Sequence, residues 1–249
     1  MEATHFSGCL SCGKDLVYLE RAEPMTCAGC GRLEQSNARC LQGHFFCDVC
    51  HSGETVDLIQ QLCLDSKETD PVALTLQVMR HPRVKMHGAE HHYLTPAALI
   101  TAWCNVRGEP FARKQALLAE AKRRAVQVPG GTCGYWGACG AAIGAGIFVS
   151  VVTGATPRSK EPWALSQSMT SEILAVYARL GGPRCCKRNT WLATLSGARF
   201  ARQKLDTPMQ ARGARCEFSE RNPDCHKEAC PFHPRTGPHA DARAEALVS

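Results

Sequence analysis

Eight residues within the first fifty carry the spacing of metal ligands: Cys9-x-x-Cys12, Cys27-x-x-Cys30, Cys40-x-x-x-His44 and Cys47-x-x-Cys50. A Cys-x-x-Cys knuckle supplies two thiolates from one tight turn, and zinc takes four such ligands in a tetrahedron. Four pairs therefore make two zinc sites, structural rather than catalytic because protein fills every position. Gly13 and Gly31 directly follow two of the pairs, where a knuckle needs left-handed backbone. Two pairings fit. A cross-brace joins Cys9, Cys12, Cys40 and His44, and separately Cys27, Cys30, Cys47 and Cys50. A sequential arrangement joins the first four ligands and then the last four, and His51 could replace His44 in either. Cys47-Asp48-Val49-Cys50-His51 also fits the haem-attachment pattern, which belongs outside the cytosol.

The second chemical signal is the run Gly130-Gly131-Thr132-Cys133-Gly134-Tyr135-Trp136-Gly137-Ala138-Cys139-Gly140. Glycines allow backbone to approach a ligand closely. A following helix offers free N–H groups and a positive dipole end, which make a nearby cysteine a better thiolate. Small residues also permit close helix packing, but that does not account for Cys133 and Cys139. Further on stand Cys185-Cys186, Cys216, Cys225 and Cys230-Pro231. Thiolates in such numbers suit an iron–sulfur cluster, or a third zinc with His226 or His233. The string His87-Gly88-Ala89-Glu90-His91-His92 mixes imidazole and carboxylate, which suits acid–base work as well as a solvated or capping turn.

The elements that must position these groups read as helices. Val56, Leu58, Ile59, Leu62 and Cys63 recur at helical spacing in Glu54–Leu64. Asp70-Pro71 marks an N-cap and first position for a helix through Met79, and Thr95-Pro96 repeats that signal before Ala97–Cys104. Further helices are predicted over 111–126, 137–152, 163–180 and 185–204. Little period-2 alternation occurs anywhere, so the expected fold is mainly α: a helical core domain with a small N-terminal double-zinc module. The predicted divisions are the zinc module at 1–52, the helical domain with the Gly-rich cysteine site at 53–205, a cysteine-containing segment at 206–233 and a disordered tail at 234–249.

The chain's 249 residues are enough for one sizeable core with a satellite module. Charged residues make up 21% and the hydrophobic class 44%, which excludes wholesale disorder. The formal charge of +6 suits an anionic substrate, nucleic acid or acidic partner. Sixteen cysteines without an N-terminal export signal point to a reducing cytoplasm, where such pairs hold metal. The uncharged stretch from Gly130 to Pro157 is rich in Gly and Ala and lacks Leu, so a buried helix fits it better than a membrane span.

The run at 130–147, together with Gly182-Pro183-Arg184-Cys185-Cys186-Lys187-Arg188 and Cys216-x-Phe218-Ser219-x-Arg221-Asn222, resembles a cysteine-rich prokaryotic domain-of-unknown-function family (5714) of anaerobes. That resemblance implies a place beside methyltransferase or radical-enzyme domains, in methyl- or sulfur-transfer chemistry. The zinc pairs resemble RING-type cross-braced modules. Cys133-Gly134-x-x-Gly137 and Cys185-Cys186-Lys187-Arg188-Asn189 bear a fainter likeness to iron–sulfur L-serine dehydratases and cysteine desulfidases. That likeness implies a 4Fe–4S cluster on three cysteines, with one iron open to a substrate hydroxyl or thiol. The departures are the early glycine, Arg184 in place of a proline, and a missing third cysteine.

The resulting expectation is a lyase or desulfidase acting on a small molecule. Cys133, Cys186, Cys225 and Cys230 would hold the cluster, and Cys139, Glu90 and His91 would serve catalysis. The alternative is a non-catalytic zinc adaptor for a methyltransferase, a radical enzyme or RNA, with Arg113, Lys114, Lys122, Arg123 and Arg124 as a basic face.

Overall fold

The computed structural model describes residues 8–235 and 246–248. Strands β1 (Leu16–Thr26) and β2 (Leu33–Cys40) form an antiparallel hairpin, with Leu16 opposite Cys40 and Thr26 opposite Leu33. Among the described residues the helices α1 (Asp48–Asp65), α2 (Pro71–Met79), α3 (Glu90–Arg107), α4 (Phe111–Ala125), α5 (Thr132–Tyr135), α6 (Gly140–Thr153), α7 (Glu161–Leu180) and α8 (Cys186–Lys204) follow. The mainly helical reading holds, and the hairpin is the element the sequence hid. β1 is mostly exposed and β2 mostly half-buried, with Met25 and Cys40 their only buried residues, so no apolar stripe marks the hairpin. A lone hairpin is marginal in water, and this one is held at both ends by ligand knuckles.

Helix α3 is the axis of the domain. Residues 90–104 are all buried, and neighbours α1, α2, α4, α6 and α8 surround them. A helix apolar on every side belongs inside, and Ala97, Ala98 and Ala102 let its partners close in. The predicted start at Ala97 was late, because Pro96 lies within α3. Its ring and the carbonyl of His92 pack against Gly144 of α6, and Thr95 Oγ1 donates to the His91 carbonyl at 3.2 Å. Packing thus carries the helix through the proline. Asp70 caps α2 as expected, its carboxylate accepting from Val72 N at 2.8 Å and Ala73 N at 3.2 Å.

The apolar 140–153 stretch is the buried helix α6. Among the described residues no helix is long and apolar enough to cross a membrane. Residues 206–233 run irregularly, with 3-10 turns at Ser219–Arg221 and Lys227–Ala229. Residues 236–245 and 249 of the expected tail lie outside the described residues, whereas Val248 is buried in the core and the Leu247 carbonyl accepts from Arg179.

Candidate metal groups and cysteine-lined cleft

The hairpin decides the ligand pairing. Running β1 away from the first knuckle and β2 back again brings Cys9 and Cys12 to Cys40 and His44. The second knuckle sits at the hairpin's tip, where it meets Cys47 and Cys50 at the start of α1. In each group the four ligand atoms lie within 4.8 Å of one another, so each could hold a metal ion, and the arrangement is the cross-brace. Cys12 and Cys40 sulfurs are 3.7 Å apart, as are those of Cys30 and Cys47. A tetrahedron with bonds of about 2.3 Å has an edge of about 3.8 Å. His44 offers Nδ1, 3.6 Å from Cys40 Sγ and 3.7 Å from Cys9 Sγ. His51 takes no part: its Nδ1 faces Lys85 Nζ at 2.6 Å.

Local backbone builds these turns. Gly13 and Gly31 have φ of +69° and +73°, as the knuckles require, and each N–H bonds back to the first cysteine's carbonyl at 2.8 Å. Amides donate to the sulfurs: Ser11 N to Cys9 and Gly29 N to Cys27 at 3.4 Å, and Gln42 N to Cys40 at 3.3 Å. Arg32 adds a cation, its Nε 3.5 Å from Cys30 Sγ and its Nη2 3.8 Å from Cys47 Sγ. That guanidinium, followed by Arg32's own backbone N–H, draws the Cys30 thiol down to about 6.

Between this module and the helices opens a cleft of about 630 Å³, the size of a small-molecule site. Tyr18, His44 and Phe46 line one side; His87, Cys133, Cys139, Arg184 and Cys186 line the other. Exposed Tyr135 and Trp136 wall it. Cys139 caps α6 and Asn189 Nδ2 donates to its sulfur at 3.4 Å. Burial raises the pKa of the Cys139 thiol, with Cys133 a smaller contributor, and Cys139 adds to the rise at Cys186. Burial pushes Cys186 up to about 12. Arg184 donates to Tyr18 Oη at 2.7 Å, which ties the two halves of the cleft together.

The expected cluster set is divided by the fold. Cys133 and Cys186 line this cleft, while Cys225 and Cys230 line a separate small cavity with Cys185 and Cys216. The dehydratase-like pairing of Cys133 with Cys185 is divided in the same way. Glu90 is fully buried beneath Gly88, its Oε1 accepting from Lys85 N at 2.9 Å. His91 is buried with both ring nitrogens engaged, Nε2 on the Lys85 carbonyl and Nδ1 on Thr190 Oγ1, each at 3.2 Å. That is a satisfied neutral imidazole. His87, part of the His-rich string but not assigned a role from it, lines the cleft with Nε2 3.2 Å from Asn222 Oδ1 and a buried Nδ1 that has no hydrogen-bond partner among the described residues. Its place in the His-rich string was visible; its orientation was not.

The glycines of the turn serve packing too. A Cβ on Gly140 would strike the His92 imidazole, whose Nδ1 is 3.0 Å from the Val128 carbonyl. The basic residues of 113–124 are partly paired, three carboxylates against five cations. Arg113 pairs with Glu109, Lys122 with Asp57, and Arg123 and Arg124 with Glu120, while Lys114 is buried against the Ser66 carbonyl. Cys63 and Cys104 lie in the hydrophobic core.

A cross-braced hairpin with two metal-ligating groups, docked on a helical cysteine-rich domain, defines a candidate metalloprotein. The chain belongs to a family of unknown function, DUF5714, which matches over residues 59–233 and so begins after the hairpin module. No curated protein and no solved structure matches it.

Proposed function

We propose that the chain is a metalloenzyme whose two N-terminal groups hold structural zinc and whose cleft acts on a small anionic molecule bearing a hydroxyl or thiol. The observation that carries this is the convergence of Cys133, Cys139 and Cys186, from two distant segments, on one cleft beside Arg184. Arg184 supplies the positive charge that an acid's carboxylate needs. Cys133, Cys139 and Cys186 would hold a 4Fe–4S cluster, which would supply a Lewis acid for the hydroxyl or thiol. No three of these sulfurs lie within 4.8 Å of one another, a spacing unlike that of the zinc groups.

Elimination from such an acid breaks a C–H bond and a C–O or C–S bond. The proton passes to a base, the C–H electron pair forms a C=C bond, and the heteroatom leaves with its electron pair as hydroxide or hydrosulfide; from L-serine or L-cysteine the resulting enamine tautomerises and takes up water to give pyruvate and ammonia. His87 is the base of this scheme: its Nε2 is held by Asn222, and its Nδ1, which is buried, makes no hydrogen bond among the described residues. In the adaptor reading, Arg113, Lys122, Arg123 and Arg124 would present a basic face that the ion pairs at Glu109, Asp57 and Glu120 offset only in part.

The test is to add L-serine and L-cysteine to anaerobically purified protein while following its visible spectrum and the release of pyruvate and sulfide. A spectral change with product, weakened in Arg184→Gln, supports the reading. No response to either acid by a metal-loaded protein contradicts it.

A further inference from the structure

The cavity behind the cleft is built by chain that has little apolar periodicity. Cys185 caps α8, and Cys216, Cys225 and Cys230 come from the irregular segment that follows α8. That segment is closed on itself by Cys216 N donating to the Phe232 carbonyl at 2.8 Å. Trp191 of α8 anchors it, with the Phe218 and Phe232 rings 6.1 and 5.3 Å from its own. All four thiols line a cavity of about 20 Å³. It is too small for an organic substrate, whose pockets run from roughly 300 to 1,000 Å³.

Amides point at these sulfurs as they do in the N-terminal groups. Phe218 N lies 3.4 Å from Cys216 Sγ and Lys227 N 3.3 Å from Cys225 Sγ, each two residues on. Arg188 N lies 3.4 Å from Cys185 Sγ. Such N–H donors stabilise thiolate ligands rather than neutral thiols. Charge agrees. Lys187 is 2% exposed, its ammonium 4.3 Å from the Phe218 centroid and without a hydrogen bond, and Arg188 is 3% exposed. Buried Glu90 offsets one of these two positive charges; the other would be costly beside four neutral thiols, whereas beside an anionic metal–thiolate group it is compensated.

Spacing separates the candidate metals. A single tetrahedral ion needs sulfurs about 3.8 Å apart. Among the described residues only the two N-terminal groups gather three or more ligand atoms within 4.8 Å. A cubane binds each thiolate to a different iron and so holds them further apart. We infer that Cys185, Cys216, Cys225 and Cys230 ligate a 4Fe–4S cluster, closed by four protein thiolates and separate from the cleft.

The experiment reconstitutes the full chain anaerobically with ferrous iron and sulfide and counts iron, labile sulfide and zinc. Cys216→Ala/Cys230→Ala is compared with Cys133→Ala/Cys139→Ala. The expected result is that the first pair abolishes iron and sulfide that the second pair retains, with zinc unchanged in both. Iron and sulfide at the parent level in Cys216→Ala/Cys230→Ala, or zinc in this site in place of iron, would overturn the inference. Should that variant lose its helical circular dichroism, Cys225→Ser tests the same claim by exchanging one ligand sulfur for oxygen. A changed electron paramagnetic resonance signal in the reduced protein supports it; an unchanged signal overturns it. Loss of iron in the cleft variant alone bears only on the proposed function.

Discussion

Cys185 and Cys186 are consecutive, yet they serve opposite sides of one wall: Cys185 lines the small cavity with Cys216, and Cys186 lines the large cleft with Cys139. The start of α8 makes this division, since Cys185 is the extended N-cap and Cys186 the first helical residue. Asn222 bridges the two sides, its Oδ1 on His87 and its Nδ2 3.8 Å from Cys185 Sγ. A change in one site has a short path to the other.

Arg32 is the cation of the second N-terminal group, touching Cys30 and Cys47. Four thiolates around a divalent ion carry net negative charge, which this guanidinium offsets. Arg32→Gln should lower affinity for the ion in that group by about 10- to 100-fold, leaving the group with His44 unchanged. Competition with a chromogenic chelator measures both sites.

Trp191 holds the cysteine-bearing segment through Phe218 and Phe232. Trp191→Ala should cost about 3–5 kcal/mol of stability and open residues 206–233 to protease. Limited proteolysis with mass mapping checks this, with cleavage expected there before any within α3.

Burial lowers the pKa of His91 well below its ordinary value, and lowers those of His87 and His92 as well. Below about pH 6.5 the unfolded chain binds protons that these folded imidazoles refuse. Stability is therefore present above that pH and is lost as pH falls, by up to about 1.4 kcal/mol per pH unit for each histidine. His91→Asn should reduce the slope by about one proton. Urea midpoints between pH 7.5 and 5, at fixed zinc, on parent and variant, measure it.

How much of this was legible depends on the residue. The eight N-terminal ligands could be read from spacing because a knuckle is local. Spacing left the cross-brace as one of two pairings, because the choice depends on a hairpin with only two buried residues and no apolar stripe to announce it. Asp70-Pro71 announced α2 correctly, for a cap is a local contact. Pro96 misled, since the packing that carries α3 through it comes from Gly144, far along the chain. The cysteines downstream were legible as candidate ligands but not as two groups, one lining the cleft and one the small cavity. Which thiol faces which space is set by one residue's turn at the head of α8.

The most direct measurement of the central claim is the content of zinc, iron and labile sulfide per chain in anaerobically purified protein, compared between parent and Cys133→Ala/Cys139→Ala. The account predicts two zinc ions, with iron and sulfide besides, part of which disappears in the variant while the zinc remains. Zinc alone, with no sulfide even after reconstitution, would contradict an iron–sulfur enzyme at this cleft.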